Sequence, residues 1–319
     1  MNLKSFLKLV EIQTKVASVI PFLLGTFYAI YRFDVFLLKN FLIMAVSLLA
    51  IDMATTALNN YQDYKKAIKK EGYGYESHNA IVHYNLNERS VKLVIIILLL
   101  IASAFGFWLF IETNIIVLLL GMISFGLAVS YSYGPIPISR TPFGELFSGI
   151  FMGGIITFLA IYINIYQGDL LNTSLIDYNL NIEFNIKELF FICLLAIPAI
   201  SGIANIMLAN NICDITDDLA NKRYTLPIYV GKEKALIIYK GLYYLGFIAT
   251  TILIIIRVLP FVSAISLLTI IPVQMNLNLF SKEQRKDKTF VTAVKNFVLV
   301  NAVIILTIIV GIIIKTLFQ

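Results

Sequence analysis

Charge is scarce in this chain. Asp, Glu, Lys and Arg make up 14% of its 319 residues, where a soluble domain carries about 25%. With 59% hydrophobic residues and a mean hydropathy of +0.85, that shortage excludes an ordinary water-soluble globule and points to a polytopic membrane protein. Cysteine is nearly missing. Cys193 and Cys213 lie in or beside apolar runs, with neither a disulfide framework nor metal-ligand spacing, and read as small buried hydrophobes. Histidine is as rare: His78 and His83 have no partner at ligand spacing, which gives no ground for a transition-metal site. The net charge of +6 is spread over short loops between apolar runs, which argues against a nucleic-acid partner. No cleavable leader is evident, because no small-residue cleavage site follows the apolar stretch Val16–Ile30, which reads as a first membrane helix.

What the chain has in abundance is long apolar runs. A spanning helix needs about 20 mostly apolar residues. Nine stretches qualify, at roughly 15–33, 38–60, 91–111, 115–132, 144–166, 187–211, 234–256, 258–280 and 293–316. The seventh and eighth are separated by little more than Arg257 and Pro260, so a very tight turn is expected. No composition shift marks a boundary, which predicts one domain over residues 1–319.

Nine spans put the N-terminus and the loops after the even-numbered helices on one side. That side holds 20 of the 25 Lys and Arg residues. The asymmetry predicts that it faces the cytoplasm, in the cell membrane. An Asn-Asn-x-x-Asp unit closes the second helix and a similar one closes the sixth, a weak internal repeat. Both fall on the basic side.

The first of these clusters is Asn59-Asn60-Tyr61-Gln62-Asp63-Tyr64. If the helix continues, Asn59 and Asp63 share a face and Asn60 nearly joins them. Amide and carboxylate oxygens suit Mg²⁺, which commonly bridges to substrate phosphates. The bland alternative is a capped helix end meeting water. The long polar segment after it brings Lys65, Lys66, Lys69 and Lys70, which could attract a diphosphate or could simply satisfy the orientation rule.

The second cluster is denser: Asn210-Asn211-Ile212-Cys213-Asp214-Ile215-Thr216-Asp217-Asp218, then Lys222 and Arg223. Asp214 and Asp218 are four apart on one helical face, with Asn211 three before. Adjacent carboxylates repel unless a cation lies between them, and Arg suits bidentate phosphate contacts. Solvation alone is a poor explanation for so many ionisable groups at a membrane boundary. A third polar segment, Tyr131 to Glu145, is punctuated by Pro and Gly into a rigid turn between the fourth and fifth helices. It could hold an aromatic acceptor, or form an interfacial aromatic belt.

Four stretches together resemble the UbiA superfamily of intramembrane aromatic prenyltransferases. The resemblance is closest to its menaquinone branch, the 1,4-dihydroxy-2-naphthoate polyprenyltransferases. They are Ile20-Pro21-Phe22-Leu23-Leu24-Gly25-Thr26, the first acid–amide cluster, Gly134 to Glu145, and the run from Asn210 through Lys222-Arg223-x-Thr225-Leu226-Pro227 to Gly231-Lys232-Glu233-Lys234-Ala235. The resemblance implies an all-α bundle of nine transmembrane helices. It also implies two acid motifs that bind a prenyl diphosphate through Mg²⁺, and an aromatic ring that captures the allylic cation. On that reading Asp63, Asp214 and Asp218 are catalytic. Asn60, Asp63, Asp214 and Asp218 hold Mg²⁺ through the diphosphate, with Asp217 and Glu76 as further candidates. Asn59, Asn60, Asn211, Lys222, Arg223, Tyr131, Glu145 and Lys15 bind substrate. The partners are a prenyl diphosphate, a small aromatic acceptor and the lipid bilayer. In the menaquinone branch the acceptor also loses CO₂.

The chain departs from the family pattern in its first motif. Asn60 stands where an acid is usual, Ala67-Ile68-Lys69 stands where Gly-x-Asp is usual, and His83 replaces a frequent Arg. Glu71 or Glu76 could substitute. If Asn60 is a weakened ligand, Asn60→Asp is expected to be neutral or activating. Three alternatives follow from these departures and from the composition: a relative with another acceptor, a terpene cyclase, or a transporter of a phosphorylated lipid.

Overall fold

The computed structural model describes residues 1–66, 79–168, 170–176 and 179–318. Among them, nine helices are long and apolar enough to cross a membrane. They are Ile12–Phe33, Leu38–Lys65, Glu88–Glu112, Ile115–Ser132, Gly144–Ile165, Ile186–Cys213, Lys232–Ile255, Phe261–Lys282 and Val291–Phe318, referred to below as the first to ninth spans. Each overlaps a predicted stretch, with ends shifted by a few residues. The chain is an all-α, polytopic integral membrane protein.

The short link between the seventh and eighth spans is made by a left-handed residue. Arg257 has φ of 58°, and the backbone N–H groups of Val258 and Leu259 both return to the Leu253 carbonyl, at 2.9 and 3.1 Å. Pro260 then opens the next span, whose first part, Phe261–Thr269, is a 3₁₀-helix. The link between the fifth and sixth spans holds the described departure from an all-helical chain. Strands Leu171–Ile176 and Asn179–Phe184 form an antiparallel hairpin, Leu171 opposite Phe184. The period-two alternation of Leu180, Ile182 and Phe184 with Asn179, Asn181 and Glu183 was its sequence signal.

In lipid, apolar surface gives helices little reason to associate, so close backbone approach matters more. The spans meet at small residues. A Cβ on Gly25 would lie 2.4 Å from the Thr157 carbonyl oxygen, and one on Gly153 would lie 2.5 Å from the Ile200 nitrogen. One on Gly311 would meet the Pro260 ring at 2.6 Å. The fifth span carries a π-helical segment, Gly149–Ile155, where it crosses the sixth. The main apolar core gathers side chains from most of the spans, Phe22, Leu24, Tyr28, Ile203, Phe280 and Phe297 among them. A second cluster sits at the basic end. There Leu9 and Val10 of the N-terminal segment pack on Ala54 and Ala57 of the second span, Ile81, and Val91 and Ile95 of the third. This second cluster fixes how the second span presents its terminal residues.

Candidate active site

The second and sixth spans both deliver their polar ends to the basic end of the bundle. The sixth span breaks at Asp214, whose backbone N–H still bonds the Asn210 carbonyl at 3.1 Å. A short helix, Ile215–Ala220, follows directly, and the Asp218 N–H bonds the Asp214 carbonyl at 2.7 Å. The i, i+4 relation read from the sequence therefore survives the break. Asp214 does not use its carboxylate to cap the second helix, which leaves that group available to a cation.

After Ala220 the chain reverses. The Arg223 N–H bonds the Asp218 carbonyl at 2.8 Å, and Lys222 adopts a left-handed φ of 53°. This turn folds the Arg223 side chain back over the acids. Its Nε lies 4.0 Å from Asp218 Oδ1, and its Nη2 lies 3.9 Å from Asp63 Oδ1 of the second span. One guanidinium thus stands between the two acid clusters, 155 residues apart in the chain for Asp63 and Asp218. Asp218 is the deeper acid, only 5% exposed. Thr225 donates a hydrogen bond to its Oδ2 at 3.1 Å. Burial pushes its carboxyl up to about 6, and Arg223 and Thr225 offset only part of that rise.

A second cation lies within electrostatic reach of the same pair. Arg140, in the turn between the fourth and fifth spans, accepts the Tyr224 N–H through its carbonyl at 3.1 Å. Burial first, and then the like charge of Arg223, lower its guanidinium from the usual arginine value, while Asp63 and Asp218 pull it the other way. Sequence reasoning had counted Arg140 only as a basic-side charge. It sits inside Ile138-Ser139-Arg140-Thr141-Pro142, and its charge beside Pro-punctuated backbone was the available signal.

Beneath the acids lies a buried polar group. Asn211 donates to Glu145 Oε1 at 2.8 Å, and both residues are about 5% exposed. Glu145 Oε2 is buried and has no hydrogen-bond partner among the described residues. The Tyr131 hydroxyl is buried beside Glu145 and within electrostatic reach of Arg223, and Glu145 lies within such reach of Asp218. The three residues from the fourth, fifth and sixth spans therefore adjoin the acid–guanidinium group and form one constellation with it.

Other candidates are placed elsewhere. Asn59 accepts a hydrogen bond from Ser132 of the fourth span at 3.1 Å. Asn60 has other partners: its Nδ2 donates to the Leu9 carbonyl at 3.1 Å, to Glu11 Oε1 at 3.2 Å and to the Thr56 carbonyl at 3.3 Å. Its backbone carbonyl accepts from Asn79 at 2.8 Å. Asn59 and Asn60 are one residue apart on the helix, a step of about 100°, so their side chains meet different neighbours. The Asn60 amide nitrogen is thus engaged by the N-terminal segment and by its own helix.

Lys15, 4% exposed, likewise bonds the second span, donating to Asp52 Oδ1 at 2.5 Å and Thr56 Oγ1 at 2.7 Å. Ser18 completes that group by donating to Asp52 Oδ2 at 2.5 Å. Sequence reading had missed Asp52, a carboxylate inside an apolar span. Lys222 is exposed, and Asp217, at the edge, has Thr216 Oγ1 3.5 Å from its Oδ1. Glu76 lies outside the described residues, as do Lys69, Lys70, Glu71 and His78.

Among the described residues no three His, Cys, Asp or Glu side chains converge as a metal cage. The donor chemistry still suits Mg²⁺. Buried and half-buried carboxylates from two spans point toward one region, and Glu145 Oε2 and Arg223 Nε are buried without partners there. Mg²⁺ typically takes one or two carboxylates and completes its shell with water and substrate phosphates. Asp63, Asp214 and Asp218 are the residues that would hold it.

Residues 18–311 match the family model of the UbiA prenyltransferase family. The chain belongs to the UbiA prenyltransferase family. Within it, 226 residues are 32% identical to the 1,4-dihydroxy-2-naphthoate octaprenyltransferase of Bacillus subtilis (strain 168). That stretch is 70% of this chain and 65% of the relative, so the match spans just under two thirds of the relative's length. Among solved structures, a UbiA homolog from Aeropyrum pernix K1 superposes with a TM-score of 0.66 over 95% of this chain and 98% of its own, at 20% identity. A UbiA homolog from Archaeoglobus fulgidus, solved bound to GPP and Mg²⁺, gives a TM-score of 0.64 over 97% and 99%, at 14% identity. At such identities these two share the UbiA fold with this chain.

Proposed function

We propose that this UbiA-family chain is a Mg²⁺-dependent prenyltransferase that moves a polyprenyl group from its diphosphate to 1,4-dihydroxy-2-naphthoate. The observation that carries the reading is the meeting of Asp63 and Asp218 at the Arg223 guanidinium, with Arg140 beside them. Acids and guanidiniums on one spot suit a ligand that is itself anionic and brings cations, as a diphosphate does. The named Bacillus subtilis relative supports the acceptor. The Archaeoglobus fulgidus homolog, bound to GPP and Mg²⁺, supports the donor and the metal.

In this reading Mg²⁺ supplies charge neutralisation at the diphosphate oxygens. Asp63, Asp214 and Asp218 would hold it, and Arg223 and Arg140 would bind the phosphates, Arg223 with the planar fork that matches them. As the allylic C–O bond breaks, its electron pair leaves with the diphosphate, where the two guanidiniums stabilise the growing charge. The apolar interior below excludes water from the carbocation. The acceptor ring attacks from the side of Tyr131, Glu145 and Asn211. Its carboxylate then departs as CO₂, and the C–CO₂ bonding pair returns to the ring. The 20-to-5 distribution of Lys and Arg supports a site facing the cytoplasm in the cell membrane.

The test is a reconstitution. Detergent-purified protein is given Mg²⁺, geranyl or farnesyl diphosphate, and a panel of aromatic acids. Prenylated, decarboxylated naphthoate is the expected product. Prenylation of a different acid overturns the acceptor assignment. A hydrocarbon formed without any acceptor identifies a cyclase, and binding without turnover removes the enzyme reading.

A further inference from the structure

The linker between the eighth and ninth spans, residues 283–290, holds three cations and two acids, and it arranges them unequally. Arg285 grips Asp287 with two hydrogen bonds, Nε to Oδ1 at 3.0 Å and Nη2 to Oδ2 at 2.7 Å. Glu283 is shared by Arg285 at 3.6 Å and Lys288 at 3.9 Å. The linker's own acids are thereby committed to Arg285 and Lys288. Lys286 instead leaves the linker and forms an ion pair with Asp214 Oδ2.

The linker backbone is built to hold this arrangement. The Thr289 side chain is buried, 3% exposed. Its hydroxyl accepts the Arg285 N–H at 2.9 Å and donates to the Glu283 carbonyl at 2.8 Å. The backbone N–H groups of Thr289 and Phe290 both return to the Arg285 carbonyl, at 2.9 and 3.1 Å. Lys286 therefore projects from a closed turn, and the cost of ordering its backbone is met before it reaches Asp214.

Among the described residues, Lys286 is the hydrogen-bond partner of the contacted Asp214 oxygen. Asp214 does not cap the helix that follows it, and its side chain is 17% exposed where that of Lys286 is 47% exposed. An ammonium on a half-exposed stem can swing into solvent, whereas the carboxylate stays fixed at the helix break. We propose that Lys286 is a placeholder cation. It holds Asp214 oriented and charge-balanced in the metal-free protein and yields that carboxylate when Mg²⁺ and the diphosphate arrive. Lys286 is a positioning residue, and its ammonium competes with the metal. The proposal rests on the reading of Asp214 as part of a Mg²⁺–diphosphate site.

The experiment uses the full chain in detergent and needs no turnover. Melting midpoints are recorded against Mg²⁺ concentration in the presence of inorganic pyrophosphate, for the wild type, Lys286→Met and Lys286→Arg. Lys286→Met is expected to melt earlier without Mg²⁺. It should reach half of its Mg²⁺-dependent shift at about two- to five-fold lower Mg²⁺, the range that a partly exposed ion pair commands. Lys286→Arg should track the wild type. Lys286→Gln repeats the measurement should the Met variant fail to fold. An unchanged or raised Mg²⁺ requirement in Lys286→Met or Lys286→Gln, with a normal wild-type response, overturns the placeholder role alone. A wild type that shows no Mg²⁺-dependent shift with pyrophosphate overturns the diphosphate-site reading and the placeholder with it.

Discussion

Asp218 and Asn60 show how different two polar residues at helix ends can be. Asp218 is a buried carboxylate with the Arg223 guanidinium 4.0 Å away, and its carboxyl is pushed up to about 6 by that burial. Such a group gains most when a cation joins it. Asp218→Asn keeps the shape and removes the charge. Steady-state assays are expected to show prenyl transfer lowered by about 10²–10³-fold, the scale of losing one electrostatic contact to a reacting group. Arg223→Lys, which loses the planar fork, should fall less but in the same direction. Asn60 is a donor set among three acceptors: two backbone carbonyls and Glu11. Replacing its amide with a carboxylate leaves those acceptors facing like charge. Asn60→Asp is therefore expected to destabilise by about 1–3 kcal/mol, read as a lowered melting midpoint. That is the reverse of what a weakened-ligand view of the sequence predicts.

At the scale of elements, the position of Glu145 depends on how the fifth span meets the sixth. Gly149 and Gly153 lie within the π-helical segment, and both face Ile200. A Cβ on Gly149 would stand 2.8 Å from the Ile200 carbonyl oxygen, and one on Gly153 would stand 2.5 Å from the Ile200 nitrogen. The obstacle is backbone, which cannot rotate away. Gly153→Ala must separate the two spans and so stretch the 2.8 Å bond from Asn211 to Glu145. A loss of about 1–3 kcal/mol or more is expected from overpacking, seen as a lower melting midpoint together with reduced turnover. Gly154→Ala serves as the comparison. Its Cβ would meet only side-chain atoms of Ile200, the nearest at 3.3 Å, so a small effect is expected there. The Lys15–Asp52 pair works at the same scale. It fastens the start of the first span to the middle of the second, where Asp52 and Thr56 bond Lys15, and one turn further on Asn60 bonds Leu9 and Glu11. Asn59 and Asp63 are left to face the fourth span and Arg223.

For the molecule as a whole, the uneven distribution of cations has a direct consequence. The Lys- and Arg-rich end should face the cytoplasm, and the hairpin between the fifth and sixth spans should face the other side. Single cysteines would be placed at Gln284→Cys in the 283–290 linker and Phe184→Cys in the hairpin, with Cys193 and Cys213 replaced by Ser. In intact cells an impermeant thiol reagent is expected to label only the hairpin position, and both positions after permeabilisation. Labelling of the linker position in intact cells would reverse the orientation.

Span number, span limits and the excess of cations at one end were determined by the sequence alone, because hydropathy and charge are local sums that hold whatever the helices pack against. The acid–amide clusters at the ends of the second and sixth spans were legible for the same reason: an ionisable group beside an apolar run is costly wherever it lies. Helix rotation and contact between distant segments were not legible. Only the tertiary structure decided that Asn60 bonds Leu9 and Glu11, that Arg140 lies within electrostatic reach of Arg223, that Lys15 takes Asp52, and that Lys286 reaches Asp214 across 72 residues. Each of these depends on which face of a helix meets its neighbour, which is set by glycine-scale backbone contacts such as that of Gly153 with Ile200. A one-residue step turns a helical side chain by about 100°, so composition could bring these groups to the same end of the bundle, and packing alone could pair them.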